Sequence, residues 1–391
     1  MASSSTTLRK SFLAKPINHF YMLLISAGAL SFLGLIMVFS SSSIHSLETK
    51  GTTISIVLRQ LFFLIVAIPF AGFLTRITMA QWRLLARAGF VISIFILGIL
   101  AIPGVGKTVN GNTNWISLKV VDIQPSEFAK FLMILWASYL LARKESAGKV
   151  HVNVFALIAP AFITVMALVM LGKDLGTASV IAFILAGLLF ASGIELKVLG
   201  SLAVALGAGI GALIVTASYR VDRFTVFLDP FAPEDYKNAG WQPAHSLLGL
   251  ATGGLFGVGL GGSRQKWGNL AEAHTDFIFA VIGEELGLFG TLSVLILLVT
   301  LIYSIFRIAL RSSDPMTRYA SVGIGCWISI QAFLNIGSAT SVLPVVGVTL
   351  PLVSYGGSAL LATYCGLGFV AGAALRDPEV RREILKKRSP R

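Results

Sequence analysis

Residues 272–306 read EAHTDFIFAVIGEELGLFGTLSVLILLVTLIYSIF. The stretch opens with two carboxylates and a histidine and continues from Phe277 as an apolar run, interrupted only by Glu284 and Glu285. About 20 mainly apolar residues form a helix long enough to cross the hydrocarbon core of a bilayer. Ionisable side chains at or inside such a helix are costly, so they are candidates for a functional role.

Similar apolar runs recur along the whole chain of 391 residues, which is 55% hydrophobic and 13% charged. A soluble domain carries about 25% charged residues. The sequence therefore predicts an all-α polytopic membrane protein with ten transmembrane helices and a long extracytoplasmic loop between helices 7 and 8. The predicted spans are residues 20–41, 54–74, 84–102, 126–142, 152–171, 175–193, 196–217, 277–306, 319–341 and 352–374. The first run lacks a small-residue cleavage site, so we expect it to be retained rather than removed as a signal.

The basic residues predict the orientation. They cluster before span one, in alternate loops and in the C-terminal tail, and if there are ten spans all of these segments lie on the cytoplasmic side. We expect a single integral membrane domain, with residues 1–19 as a cytoplasmic tail, 218–276 as a large extracytoplasmic loop and 375–391 as a basic cytoplasmic tail. The same bias explains the net charge of +13, and we expect no nucleic-acid binding.

Several familiar motifs are excluded by their context. Residues 101–108, AIPGVGKT, lack the first glycine of a phosphate-binding loop, and residues 257–262, GVGLGG, lack the strand and helix of a dinucleotide site. Cys326 and Cys365 both fall inside predicted spans, so we expect them to be packing residues. Residues 354–358, SYGGS, are typical of a small-residue helix start rather than of a serine hydrolase.

Three charged residues near span ends have two interpretations each. Glu127 and Lys130 share one face of the first turn of span four, either as a structural pair or with Lys130 meeting an anionic group. Asp174 opens span six, where it either caps the helix or contacts substrate.

The acidic residues around span eight also have alternatives. At least one of Glu284 and Glu285 is expected to cap or pair with a neighbouring helix, and Arg59 is a hypothetical partner. Glu272, His274 and Asp276 could bind a hard divalent ion, with a spacing that suits a loop better than one helix face.

Five motifs, in this order and spacing, resemble the SEDS family (shape, elongation, division and sporulation). They are NWI from Asn114, QPSEFAK from Gln124, DLGT from Asp174, EAHTDFIFAVIGEELG from Glu272 and LPLVSYGGS from Leu350. The resemblance covers nearly the whole chain. Residues 259–277, GLGGSRQKWGNLAEAHTDF, are more similar to the cell-division members than to the elongation members, which usually lack the alanine between glutamate and histidine.

This resemblance implies a ten-helix peptidoglycan glycosyltransferase that polymerises lipid II on the outer face of the bacterial cytoplasmic membrane. It also implies a class B penicillin-binding protein and other division proteins as partners, and a place at the division septum with both termini cytoplasmic. The essential loop aspartate of the family falls on Asp276, the outer-loop tryptophan on Trp115 and the span-four lysine on Lys130. Many members carry an arginine just before that tryptophan, whereas this chain has Asn112, Thr113 and Asn114.

The chemistry of polymerisation assigns roles to these residues. A sugar hydroxyl needs a base, and partial burial would raise the pKa of a carboxylate such as Asp276 towards the working pH. The pyrophosphate leaving group needs cations to neutralise its charge. A divalent ion such as Mg or Mn is one alternative for this role, and no other cofactor is expected. The candidate substrate-binding residues are Trp115, Glu127, Lys130, Asp174, Arg220, Arg223, Arg264, Lys266, Glu272, His274, Ser354 and Ser358.

Three alternatives remain at this point. A lipid II flippase would also suit a ten-helix bundle with buried charges, although the sequence contains no evident pair of broken helices. A non-catalytic scaffold would dock other proteins on the basic tail and on residues 6–10. The third alternative is the elongation-type polymerase of the same family.

Overall fold

The computed structural model describes residues 15–102, 104–109, 112–117, 121–148, 153–215, 226–227 and 229–388. Within these ranges the chain is mostly α-helical, as predicted. The helices are α1 (Pro16–Lys50), α2 (Ser55–Leu74), α3 (Met79–Gly98), α4 (Pro125–Ser146), α5 (Val154–Leu171), α6 (Leu175–Ala191), α7 (Leu196–Val215), α8 (Trp241–Gly253), α9 (Ile278–Arg311), α10 (Pro315–Ala339), α11 (Gly357–Arg376) and α12 (Pro378–Arg388).

Each predicted span overlaps one of these helices. Seven of the helices in the described ranges are long and apolar enough to cross a bilayer, namely α1, α2, α3, α5, α9, α10 and α11. The polytopic membrane class is therefore confirmed, whereas the count of ten crossings stays a prediction. Helices α1 and α9 are longer than predicted, with 35 and 34 residues, against about 20 residues needed to cross the hydrocarbon core.

The helix starts follow local sequence signals. Side chains of Asn153, Asp174 and Asp314 accept backbone N–H groups at the starts of α5, α6 and α10. Thr78 and Gln81 form a reciprocal capping box at α3. These bonds satisfy amide groups that have no partner within the helix, and this is why short polar residues mark the helix boundaries so clearly.

The centre of the bundle is α11, which packs against α1, α2, α4, α9 and α10. Small residues allow this close packing: a side chain at Gly34 would overlap the backbone of Val353, and one at Gly368 would overlap the backbone of Ala71. Between apolar helices in lipid, such close approach replaces the hydrophobic drive available in water. The loop before α11 is thereby fixed against α1.

One end of the bundle collects the basic loops. Arg83 pairs with Asp314 at 2.6 Å and Arg318 with Glu145 at 2.6 Å. Arg311 pairs with Asp377 at 3.2 Å. The segments predicted to be cytoplasmic therefore meet at one end, and a cavity of about 110 Å³ there is lined by both Pro16 and Pro378. Which side of the membrane this end faces stays a prediction.

The opposite end is built from loops, a short helix and a small sheet. The strands β1 (Gly106–Val109), β2 (Asn112–Ser117) and β3 (Asp122–Ile123) pair antiparallel, so the all-α expectation missed a minor β element. The described part of the 218–276 loop contains α8 and packs onto the bundle, where Ser246 Oγ donates to Ala339 O at 2.6 Å.

Candidate active site

Two loops are joined at the end of the molecule opposite the basic cluster. The Tyr355 N–H donates to His274 O at 2.9 Å, and Ser354 Oγ donates to Thr275 O at 2.6 Å. Ser354 Oγ also accepts the Leu350 N–H at 2.8 Å. Ser354 therefore holds the loop before α11 against the loop before α9, and its contact with substrate stays a prediction.

Asp276 lies half-buried in this junction. Asn335, on α10, donates from Nδ2 to Asp276 O at 2.8 Å and to Val348 O at 2.7 Å. Gly347 has φ +72°, and a Cβ there would lie 3.7 Å from Asp276 Oδ2. The backbone of the acid is thus fixed by a helix, and Gly347, which has no side chain, lies beside its carboxylate.

Glu272 shapes the turn that leads to Asp276. Its φ of +58° lies in the left-handed region, which is uncommon for a residue other than glycine. Its side chain accepts the Thr275 hydroxyl at 2.8 Å, and its carbonyl accepts the Thr275 N–H at 3.1 Å. These contacts support a positioning role for Glu272.

His274 is a neutral, stacked ring at neutral pH. Its centroid lies 5.5 Å from that of His45 and 5.6 Å from that of Tyr355. Burial lowers the pKa of His274 to about 4, with Glu272 opposing the shift and His45 adding to it. A histidine with this pKa carries no positive charge for a phosphate at pH 7.

The metal interpretation of this segment gains no support from the geometry. Across the described ranges, no three or more His, Cys, Asp or Glu side chains lie close enough together to hold a metal ion. Glu272, His274 and Asp276 therefore do not form a three-ligand cluster, and we assign no metal to the site.

Lys130 and Glu127 form a buried pair below the junction. Lys130 Nζ lies 2.7 Å from Glu127 Oε1 and 3.1 Å from Gln331 Oε1, and it packs over the Trp327 ring. Gln331 Nε2 in turn donates to the carbonyl of Thr349 at 3.1 Å. With Lys130 only 2% exposed, the geometry favours the structural pair, connected through Gln331 to the loop beside Asp276.

Asp174 caps α6 and also binds the small sheet. Its carboxylate accepts the Thr177 N–H and hydroxyl, each at 2.8 Å. It further accepts Asn114 Nδ2 at 2.8 Å and Gln124 Nε2 at 3.2 Å. The capping interpretation therefore agrees with the geometry, and the same carboxylate fixes β2 and the start of α4 against α6.

The remaining outer residues lie beside this network. Ser358 Oγ accepts the Gln124 N–H at 3.0 Å, which connects α11 to the start of α4. Trp115 is half-buried in β2, opposite Lys107 in the strand pairing. Burial alone would raise the pKa of Asp122, but the hydrogen bond from Lys107 at 2.7 Å, together with other contacts, leaves it lowered.

The predicted phosphate-binding cations fall into different environments. Arg264 is exposed, whereas Lys266 is 8% exposed and donates to Gly261 O at 2.6 Å while facing Glu285 at 3.4 Å. The ammonium group of Lys266 is therefore already bound by groups of the protein itself, and this geometry argues against a contact with substrate. Arg220 and Arg223 lie outside the described residues.

Glu284 and Glu285 anchor the outer loop to the bundle. Glu284 accepts the Ser263 hydroxyl and the Arg264 N–H, and Glu285 accepts the Ser40 hydroxyl. Both glutamates are fully buried. The hypothetical partner Arg59 was wrong, because these partners come from residues 263–266 and from α1.

Helix α9 is broken immediately after these glutamates. Gly287 has φ +66° and ψ −159°, a conformation available essentially only to glycine. Residues 254–259 insert at the break: the Val258 N–H donates to Glu284 O at 2.9 Å and the Leu288 N–H donates to Gly254 O at 2.9 Å. The inserted loop replaces helical hydrogen bonds that the break removes.

Sequence reasoning missed several residues around Asp276. Arg59 is exposed, and its positive charge opposes the rise that burial causes in the pKa of Tyr355. Gln60 Nε2 donates to Ser354 O at 3.2 Å. Asn335 and Gln331 were likewise not identified. The available signal was the same for all four, namely one or two polar residues within an apolar run.

Comparisons with known proteins agree with this architecture. Residues 20–377 match the family model for FtsW, RodA and SpoVE, described as "Cell cycle protein". The chain is 37% identical over 368 residues to the probable peptidoglycan glycosyltransferase FtsW of Mycobacterium tuberculosis, covering 94% of this chain and 70% of that protein. It is 36% identical over 337 residues to the protein of the same name from Saccharophagus degradans, covering 85% of this chain and 86% of the other.

Two solved structures share the fold. One, described as "Structural coordination of polymerization and crosslinking by a peptidoglycan synthase complex", has a TM-score of 0.74 at 26% identity, covering 92% of this chain and 98% of that chain. The other, rod shape determining protein RodA of Thermus thermophilus, has a TM-score of 0.68 at 26% identity, covering 91% of this chain and 96% of that chain.

Proposed function

The chain belongs to the FtsW, RodA and SpoVE family of cell cycle proteins, and from that premise we propose that it is a peptidoglycan glycosyltransferase with Asp276 as general base. It is a multi-pass bacterial membrane protein. The observation that carries the catalytic assignment is the position of Asp276: a half-buried carboxylate whose backbone is held by Asn335 in a junction of two loops.

The proposed reaction joins two lipid II molecules. The 4-hydroxyl of the acceptor sugar attacks the anomeric carbon of the donor, and its proton passes to the Asp276 carboxylate. The bond between the anomeric carbon and the pyrophosphate oxygen breaks, and undecaprenyl pyrophosphate leaves with the electron pair. Because the leaving group departs already charged, it needs cations more than it needs a general acid.

Two exposed arginines are our candidates for that electrostatic role. The charge of Arg59 lowers the pKa of Tyr355 against the effect of burial, so the guanidinium lies near that side chain. The N–H of Tyr355 donates to His274 O, two residues before Asp276. Arg264 is exposed on the loop that Glu284 holds. A guanidinium offers a fork of donors that matches phosphate oxygens, so either side chain suits a pyrophosphate group.

The experiment that tests the base is polymerisation of lipid II by purified Asp276→Asn. We expect a folded protein that produces no glycan strands. The matched control is Glu234→Gln, which neutralises an exposed carboxylate of the same long loop and should leave polymerisation unchanged. Full polymerase activity in Asp276→Asn would remove Asp276 from the base role.

The transporter alternative has one observation in its favour, the broken helix at Gly287. The break is, however, spanned by backbone hydrogen bonds from residues 254–259, which pin its two halves to one loop. We therefore favour the enzyme. Vesicles that contain the purified protein would separate the two, because lipid movement without glycan product would support transport.

We further propose a division role at the septum, with both termini cytoplasmic and the Asp276 junction on the outer face. A class B penicillin-binding protein is the proposed partner that crosslinks the new strands. The likeness to a structure described as a peptidoglycan synthase complex supports such a partnership. Polymerisation with and without that partner would test it.

A further inference from the structure

We propose that a groove between α3 and α4, at the end of the bundle that collects the basic loops, binds the phosphate headgroup of an anionic phospholipid. The groove is lined by Arg87, Trp136, Tyr139, Leu140 and Arg143. It lies at the opposite end of the bundle from Asp276. The inference goes beyond the proposed function, because it assigns a site for a membrane lipid that takes no part in the reaction.

The groove forms where α3 and α4 pack side by side. A Cβ at Gly89 would lie 2.7 Å from Leu132 O, so the two backbones approach closely there. The four lining residues of α4 are spaced by three, four and seven positions, which places them on one face of the helix. The groove has a volume of about 510 Å³. Small-molecule sites range from about 300 to 1,000 Å³, so a lipid headgroup fits this volume.

Arg87 is held in the groove by a neutral partner. Its Nε donates to the Tyr139 hydroxyl at 3.1 Å, and its guanidinium lies 5.5 Å from the centroid of the Tyr139 ring. Arg87 also falls within the predicted span 84–102, where an ionisable group is costly without a counter-charge. A phenol positions the guanidinium but carries no negative charge to balance it.

Arg143 adds a second cation to the same groove. It lies in the last turn of α4, and both it and Arg87 are exposed. Among the residues that the structure describes, neither arginine has a carboxylate within 4 Å. Glu145, two positions after Arg143, is bound by Arg318 at 2.6 Å. The groove therefore presents two positive charges to the surroundings and favours an anion.

The surface beside the groove favours a lipid over a free anion. Val91 and Phe95 lie four and eight positions after Arg87, about one and two turns further along α3, and they are 67% and 69% exposed. Trp136 is half-buried and packs on Phe90 with ring centroids 5.2 Å apart. Tryptophan is enriched where headgroups meet acyl chains. Acyl chains that cover Val91 and Phe95 would bring their phosphate to the depth of Arg87.

The charge of the groove selects the headgroup. A guanidinium offers a fork of donors that matches phosphate oxygens, and basic pockets between transmembrane helices bind acidic lipid headgroups. A zwitterionic lipid also carries a phosphate, but two unpaired arginines would repel its ammonium group. A headgroup with a net negative charge is therefore favoured.

The test measures lipid binding to the full chain, purified in a neutral detergent. Phosphatidylglycerol, which is anionic, or phosphatidylcholine, which is zwitterionic, is titrated in, and bound lipid is counted by native mass spectrometry. We expect phosphatidylglycerol to bind more tightly. Arg143→Gln should weaken its binding about 5-fold, and Arg87→Gln with Arg143→Gln about 20–30-fold, the value of one and of two basic side chains at a membrane surface.

Two controls separate the groove from folding and from general surface charge. Arg143→Gln should keep the melting temperature of the parent chain in lipid-free detergent, because the exposed side chain has no acidic partner among the described residues. Arg76→Gln with Arg381→Gln removes two exposed arginines outside the groove lining and should leave the phosphatidylglycerol affinity unchanged. Unchanged affinity in the double groove variant, or equal weakening in this control, would overturn the inference.

Glycerol 3-phosphate distinguishes a lipid from a soluble phosphate. It carries the phosphate without acyl chains, so we expect it not to displace phosphatidylglycerol from the parent chain. Displacement would assign the groove to a soluble anion and overturn the lipid assignment. Equal affinities of the parent chain for phosphatidylglycerol and phosphatidylcholine would likewise overturn it, since the two arginines would then exert no selection by charge.

Discussion

The side-chain amide of Asn335 donates a hydrogen bond of 2.8 Å to the backbone oxygen of Asp276. The same nitrogen donates to Val348 O at 2.7 Å, so one residue of α10 fixes both loops of the candidate active site. Asn335 is 1% exposed, and its helix packs against α4, α6 and α9. The position of the acid is therefore set by a rigid helix, although the acid itself lies in a loop.

Replacing Asn335 should lower the rate of catalysis without changing the apparent affinity for substrate. In Asn335→Ala the carbonyls of Asp276 and Val348 lose their shared donor, and we expect kcat for lipid II polymerisation to fall about 10–100-fold, since small displacements of a reacting group are costly. KM should change little. Ser329→Ala, which removes only a bond within the same helix, is the control and should behave as the parent chain. A rise in KM with unchanged kcat would contradict the positioning role.

The helices could be predicted from the sequence because their signals are local. Apolar runs of sufficient length, and caps such as Asp174 and Asp314, lie within a few residues of the elements that they define. The partners of Asn335, Gln331 and Lys266 could not be predicted in this way. These contacts depend on which helices and loops pack together in the fold. The hydropathy pattern does not show these packing partners.

Lys130 should prove necessary for stability. In Lys130→Met the Glu127 carboxylate stays buried without its cation, and breaking a buried pair costs about 3–5 kcal/mol. The double variant Glu127→Gln with Lys130→Met removes both charges and should recover most of the melting temperature. A single variant as stable as the parent chain would show that water reaches Glu127, and that the pair is not sealed in the bundle.

The break in α9 should be specific for glycine. Gly287→Ala would place a Cβ against the backbone of Leu255 and Gly257. It would also hold a residue with a side chain in a backbone conformation that only glycine adopts readily. We expect at least about 2 kcal/mol of destabilisation, seen as a lower melting temperature. Gly200→Ala in α7 has open space around it and should be neutral or slightly stabilising. Equal stability of the two variants would mean that residues 254–259 are not packed against the break.

The candidate site shows where local reading of the sequence stops. Asp276 and its neighbours were identified because carboxylates next to an apolar run are conspicuous. Arg59 was considered only as a hypothetical partner for Glu284 or Glu285. The contacts that residues 263–266 make with Glu284 require a loop that folds back onto the helix break, which the sequence does not show. Glycines are the only sequence signal of a loop that inserts into a helix, and glycines also occur in many other structural contexts.

His274 should make the protein sensitive to acid. Burial lowers its pKa to about 4 from the ordinary value of 6.5, so the folded state favours the neutral ring. The stability that the neutral His274 ring gives to the folded state is fully present above pH 6.5. It is lost as the pH falls towards 4, because the unfolded chain binds the proton first. Between pH 7 and pH 5 the free energy of unfolding should fall by about 2 kcal/mol, measured by thermal unfolding in detergent at both values.

His274→Gln, which cannot take up a proton, should lose less stability over this interval. His45→Gln should keep most of the loss, because burial, and not the neighbouring ring, is the main cause of the shift. An identical pH dependence in the parent chain and His274→Gln would show that the His274 ring is solvated in the folded protein, and that it does not pack between His45 and Tyr355.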